Sequence, residues 1–203
     1  EGEDLKGVQR FLGSQELGAL AALFLHNNGI KDIRIRTVIL PTFKHTVCVS
    51  DKDTYDLYWL AASMAGAIQS SRGSNPYELI NIPMIGKLLK TAIFLDPTWE
   101  NGSLFSAMMS YSAIRPDLSG QAMKDTVDFY FKKSLEISDS LDASIFVSYA
   151  ELIHKPRQEK RHFEDKLKYV INMDLNKKNK LNNLIAINRA RWLMSNTEDY
   201  FLE

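Results

Sequence analysis

From residue 54 onward apolar positions recur at three- and four-residue steps, and clusters of Pro, Gly, Asn and Asp interrupt them. That rhythm is the mark of amphipathic helices joined by short loops. It predicts helices over 54–71, 84–95, 100–114, 119–137, 142–154, 157–173 and 179–195, with a last turn at 197–202. Upstream, 3–12 and 14–27 also read as helices, the second opened by Ser14 as N-cap with Glu16 in its first turn and closed by Gly29. The period then changes. Asp32 to Val38 alternates apolar and polar residues with β-branched enrichment, and Val47-Cys48-Val49 follows Pro41, so 30–50 is open to either a short strand or an irregular loop. The expected organisation is an N-terminal segment of helices and arm over 1–53, then one continuous helical domain over 54–203.

Three predicted helix ends can be laid on one another: Leu89 to Asp96, Phe131 to Ser138 and Leu167 to Asp174. Their first, fifth and seventh places are apolar, and the fourth is small or β-branched. The segments start 42 and 36 residues apart, and each is followed by another apolar helix start, at Leu104-Phe105, Ile145-Phe146 and Leu184-Ile185. A helical hairpin repeated every 34 residues or so, with insertions, is the tetratricopeptide-like pattern, and the expected fold is an all-α array of such hairpins. An unrelated bundle with three similar helix ends is the alternative. One hairpin cannot cover its own apolar face, so Leu89, Ala92, Phe131, Leu135, Leu167, Ile171 and Leu184 are expected to be buried, with Ala92 and Ser134 where helices approach closely. The last helix, with Asn188, Arg189 and Arg191 among Leu184, Ile185 and Trp192, is expected to be the polar-faced cap of the array.

Charge narrows the range of partners. The 25 basic residues balance the 25 acidic ones, so no global positive field gathers nucleic acid or anionic lipid. A single cysteine, Cys48, cannot build an internal disulfide or a Cys-rich zinc site. No apolar run approaches the length of a membrane span, the longest being Leu17 to Leu25. Because the chain opens on Glu1 without a leader-like pattern, it reads as a mature or trimmed product, any membrane anchor lying upstream.

Candidate chemistry is sparse. His26, His45, His154 and His162 form no pair on one helix face, and there is no phosphate-binding glycine loop or nucleophile elbow. His154 and His162 flank the turn at Pro156 and could converge, though solvated loop histidines are the expectation. Acidic pairs such as Asp51 with Asp53, or Glu198 with Asp199, fall near helix starts, where the helix dipole accounts for them. No metal, cofactor or catalytic constellation is expected. The aromatics are more suggestive. Tyr58 and Trp59, Trp99, Phe105 and Tyr111, then Phe146 and Tyr149 fall on the first helices of successive hairpins. They serve either as large knobs in inter-helix holes or as a contact surface. Asp96-Pro97 should stop one helix, with Trp99 and Gly102 shaping the turn that follows.

Four ordered motifs then make the chain resemble a known family. They are Tyr58-Trp59-Leu60-Ala61-Ala62, Leu95-Asp96-Pro97-Thr98-Trp99-Glu100-Asn101-Gly102, Val147-Ser148-Tyr149-Ala150-Glu151, and Asn188-Arg189-Ala190-Arg191-Trp192-Leu193 followed by Asp199-Tyr200-Phe201. Together they are similar to the TRAP transporter T-components, a tetratricopeptide-like family, over residues 57–203. The opening helix departs from the family at Ala61 or Ala62, where a glycine is usual, and 1–53 is unfamiliar. The resemblance implies a non-enzymatic periplasmic scaffold, lipid-anchored upstream of residue 1, that forms a homotrimer and binds the solute-binding P-component. A small hydrophobic or organic-acid ligand belongs to the same picture. The motif residues Tyr58, Trp59, Trp99, Gly102, Phe105, Tyr111, Ser148, Tyr149, Arg189, Arg191 and Trp192 are the candidates for partner or ligand surface. A generic tetratricopeptide adaptor holding a peptide in its groove is the alternative function.

Overall fold

The computed structural model describes residues 51–174 and 179–202, and among them every regular element is helical. The expected helices at 3–12 and 14–27, the segment 30–50, and Cys48, His26 and His45 lie outside the described residues. By its internal contacts the chain forms two compact units, Glu1–Pro97 and Thr98–Glu203.

In the first unit, a 3-10 turn at Asp51–Asp53 leads into α1 (Thr54–Ser70), whose inner stripe is Thr54, Leu57, Ala61 and Met64. These residues step by three and four, so they share one face. Arg72 and Gly73 both take positive φ and end the helix, the Gly73 amide reaching back to the Ile68 carbonyl at 3.0 Å. A short helix absent from the sequence reading, α2 (Pro76–Leu79), follows. Asn75 caps it by accepting from the Tyr77 amide, while Glu78 is held by Asn75 Nδ2 at 2.9 Å and by the Ser71 hydroxyl at 2.6 Å. Then α3 (Ile82–Leu95) packs on α1 with Ile82, Ile85, Leu88, Leu89 and Ala92 buried.

The second unit opens on a turn at Trp99–Gly102 in which Glu100, Asn101 and Gly102 all have positive φ. Only Gly102 adopts that region without a side-chain penalty. It also has no room for a Cβ, which would stand 3.2 Å from the Ser134 carbonyl oxygen and 3.3 Å from Ile137 Cβ. Ser134 donates its hydroxyl to the Gly102 carbonyl at 3.1 Å, so the turn is pinned to the helix that carries Ser134. Trp99 is half-buried. From this turn run α4 (Ser103–Ile114) and α5 (Gly120–Ile137), packed on each other, then α6 (Ala143–Tyr149), which continues into a π-turn at Ala150–His154. Two more helices, α7 (Lys160–Ile171) and α8 (Lys180–Ser195), close on α6, and a 3-10 turn at Thr197–Asp199 leads to the C-terminal residues.

Phe163 and Leu167 of α7 lie at the centre of this unit with Ile145 and Ile153, and Phe201 returns to stack edge-on against Phe163 at 5.2 Å. Leu89, Ala92, Phe131 and Leu167 are buried as the repeat reading requires, and Leu135 and Ile171 are partly so. Leu184 departs from it, being 41% exposed. The inner stripe of α8 is Asn183, Ala186, Ile187, Ala190 and Leu193, on the opposite side of the helix from Leu184. Small Ala186 and Ala190 let α8 lie close to its neighbours, and this decides the face. The large residues Leu181 (69% exposed), Ile185 (61%) and Trp192 (50%) are turned outward. The outer side of the last helix is therefore mixed: Asn188, Arg189 and Arg191 are exposed as expected of a cap, but large apolar residues stand among them.

Candidate functional site

The α6 segment ends in a π-turn, marked by the Lys155 amide bonding to the Ala150 carbonyl at 3.0 Å. One extra residue per turn rotates the side chains that follow, a device often found at functional positions. Here it turns His154 inward. The expectation of a solvated loop histidine is corrected: His154 is buried, its Nδ1 lies 2.7 Å from Glu159 Oε2, and its ring stacks on exposed His162 at 5.4 Å. Nε2 is buried without a hydrogen-bond partner among the described residues.

A chain of polar groups runs on from the histidine. Tyr149 stands edge-on to His154 at 5.1 Å and donates its hydroxyl to Asp128 Oδ1 at 2.5 Å, while Lys124 Nζ holds the other Asp128 oxygen at 2.6 Å. Glu159 accepts a second bond, from Arg157 Nε at 2.9 Å. Lys166 sits among the rings of Phe131, Phe146 and Tyr149, its ammonium 5.4 to 5.9 Å from their centroids.

The electrostatics follow from burial and these bonds. Burial lowers the His154 pKa more than Glu159 raises it, so the ring is neutral at pH 7. Burial and the bond to Asp128 push the Tyr149 hydroxyl far up, keeping its proton in place. Burial alone would raise Asp128, but the bonds from Lys124 and Tyr149 outweigh it and hold the carboxylate below its usual range. Glu159 is lowered, first by its bond to His154 and also by Arg157. A tyrosine locked in its protonated form is no nucleophile, and among the described residues no group of three or more His, Cys, Asp or Glu could hold a metal ion. The cluster ties α5, α6 and α7 together.

The other sequence-selected residues occupy several places. Tyr58 and Trp59 stand edge-on at 5.4 Å on α1, with Trp59 exposed. Phe105 and Tyr111 are buried on α4, Phe105 beside Tyr130 at 6.4 Å and Tyr111 under the Arg115 guanidinium at 5.7 Å. Ser148 is half-buried and Tyr149 buried. The third and fourth motifs meet: Arg189 Nη2 donates to Glu151 Oε1 at 2.6 Å, and its guanidinium covers the Trp192 ring at 4.7 Å. Trp192 also lies 6.4 Å from Tyr200, whose ring carries Lys155 Nζ 3.6 Å from its centroid. Gln158 completes the hold, donating to the Tyr200 carbonyl and accepting from the Leu202 amide at 2.8 Å. Arg191 is exposed and has no ion-pair partner among the described residues. Sequence reasoning missed Asn183, Lys166 and the outward Leu181 and Ile185. For the last two a signal existed, the apolar residues spread all round this helix.

These features define an all-helical array protein, its internal polar groups spent largely on one another and its aromatic and apolar surplus left at helix surfaces. The family model of the TRAP transporter T-component matches residues 19–201, and the chain belongs to that family. It is also similar to an uncharacterised protein of Treponema pallidum (strain Nichols), at 23% identity over 154 residues. That match covers 74% of this chain but 47% of the relative, so the chain spans about half the length of the relative. Among the described residues no helix is long and apolar enough to cross a membrane.

Proposed function

We propose that the chain is a non-enzymatic accessory subunit of a TRAP-type solute uptake system, a tetratricopeptide-like scaffold that works in the periplasm by binding the solute-binding P-component. On this reading it forms a homotrimer, is held at the membrane by a lipid anchor upstream of residue 1, and takes a small hydrophobic or organic-acid ligand. The observation that carries the proposal is family membership over residues 19–201, nearly the whole chain. The geometry supports it in two ways. The polar cluster around His154 and Tyr149 is organised as packing glue, with a protonated tyrosine and a neutral histidine in place of an activated nucleophile. Meanwhile α8 leaves Trp192 and two arginines at the surface, residue types enriched where proteins meet.

Sedimentation of the protein alone and mixed with the solute-binding protein of the same transport system tests the reading. The expected result is a trimer alone and a mixed species at tens of micromolar, where even weak specific pairs are populated. A strict monomer with no mixed species overturns the proposal in favour of a peptide-binding adaptor.

A further inference from the structure

The outward face of α8 presents Leu181, Leu184, Ile185 and Trp192, spaced so that all four lie on one side of the helix, opposite the buried stripe. A solvated helix face is normally polar, and a terminal repeat needs a polar outer side to stay soluble. This one sets four large apolar residues around a single exposed asparagine, Asn188, so water is not the natural neighbour of most of it. Its centrepiece is also fixed in advance. Trp192 is contacted by the Arg189 guanidinium and by Tyr200, and both are anchored in turn, Arg189 by Glu151 and Tyr200 by Lys155 and Gln158. A large ring held still before contact loses little entropy on binding, which is how anchor residues act.

Charge selects the occupant. Over Lys180–Ser195 the helix carries Lys180, Arg189 and Arg191 and no acidic residue. Arg189 is neutralised by Glu151, which leaves Arg191 and Lys180 as the positive rim of the apolar stripe. The nearest downstream acids lie beyond the helix end, with Glu198 engaged by Lys160 at 2.6 Å and Asp199 in the same 3-10 turn. Two copies of this face paired with each other about a two-fold axis would bring basic rim against basic rim. We infer that the outer face of α8 is the docking surface for the solute-binding partner, received in an apolar groove rimmed by carboxylates. The inference rests on the function proposed above and gives that function its surface.

The test uses the full chain, the solute-binding protein of the same transport system, and three variants of exposed residues: Trp192→Ala, Ile185→Asp and Arg191→Glu. All three should keep the helical content of the unaltered chain. Trp192→Ala and Ile185→Asp should each weaken the complex at least 30-fold, roughly the loss from removing an interface anchor. Arg191→Glu should weaken it about 10-fold at low salt and less at high salt, because a rim charge is screened. If the unaltered chain binds the partner and all three variants bind as tightly, the docking surface lies elsewhere, and this inference falls while the proposed function stands. Variants that abolish self-association but leave partner binding intact would make the face a contact between copies and likewise overturn the inference. Failure of the unaltered chain to bind at all overturns both.

Discussion

The two sides of α8 are both apolar, yet they behave in opposite ways. Asn183, Ala186, Ile187, Ala190 and Leu193 are buried against α6 and α7, while Leu181, Leu184, Ile185 and Trp192 stand out. Side-chain volume orders them contrary to intuition, with two alanines inside and a tryptophan outside. Close approach of helices favours small residues at the line of contact, and what cannot fit there is displaced to the far side. Hydrophobicity alone thus does not tell which side of such a helix faces its own core. The presence of a second apolar side points to a second neighbour.

The sharpest way to break this comparison is Leu193→Ala, which removes a fully buried side chain from the inner stripe. It should cost about 3 kcal/mol, the usual range for Leu→Ala in a core that relaxes only partly. Urea unfolding measures it. A loss below about 1 kcal/mol would mean that the inner side is not the one carrying the stability of α8.

Much of this architecture was legible in the sequence because helix periodicity is local. The predicted spans over 54–71, 119–137 and 179–195 fall within a residue or so of α1, α5 and α8, and Ser134, expected where helices approach closely, meets Gly102 of the turn. What failed depended on partners distant in the chain. Asn183 is buried because its side chain accepts from the Ala143 amide at 3.0 Å and donates to the Leu141 carbonyl at 2.8 Å, serving the start of α6 from some 40 residues away. Nothing near Asn183 in the sequence announces that role. With an asparagine on the inner stripe, apolar residues alone marked the wrong side. His154 was misjudged for a related reason, since a π-turn shifts the register by one residue and periodicity assumes none.

His154 also supplies a smaller effect from the inner, buried side of the unit. Its folded pKa is lowered from the ordinary 6.5 by burial, so the unfolded chain takes up the proton first as pH falls. The contribution of the neutral ring is fully present above about 6.5 and is lost as pH drops through the folded value. The groups around it are Glu159 and Arg157 on the loop, His162 and Lys166 on α7, and Tyr149 on α6; of these His162 and Lys166 add to the cost of protonation and Glu159 opposes it. The melting temperature of the unaltered protein should therefore fall between pH 7.5 and 5.5 by more than that of His154→Phe. Asp128 and Glu159, whose folded pKa values are lowered from 3.8 and 4.5, act only in a more acidic window and do not confuse the reading. Parallel pH profiles for the two proteins would show that the buried ring does not titrate with unfolding.

The smallest effect belongs to the outer side, and it is the one that sharpens the comparison most. Ile185→Ser removes an apolar side chain that is 61% exposed and contributes little to the core. Apart from a slight difference in helix propensity, nothing in the described residues is lost, so the change in unfolding free energy should stay within about 0.5 kcal/mol. Urea unfolding of the full chain is again the measurement, set beside Leu193→Ala. A cost near 2 kcal/mol, the scale of a buried aliphatic side chain, would mean that Ile185 is covered by the protein's own chain or by a stable copy of it. The apolar outer side would then be a second core face. A negligible cost joined to weakened partner binding would separate the two sides cleanly, the inner one holding the fold and the outer one holding a neighbour.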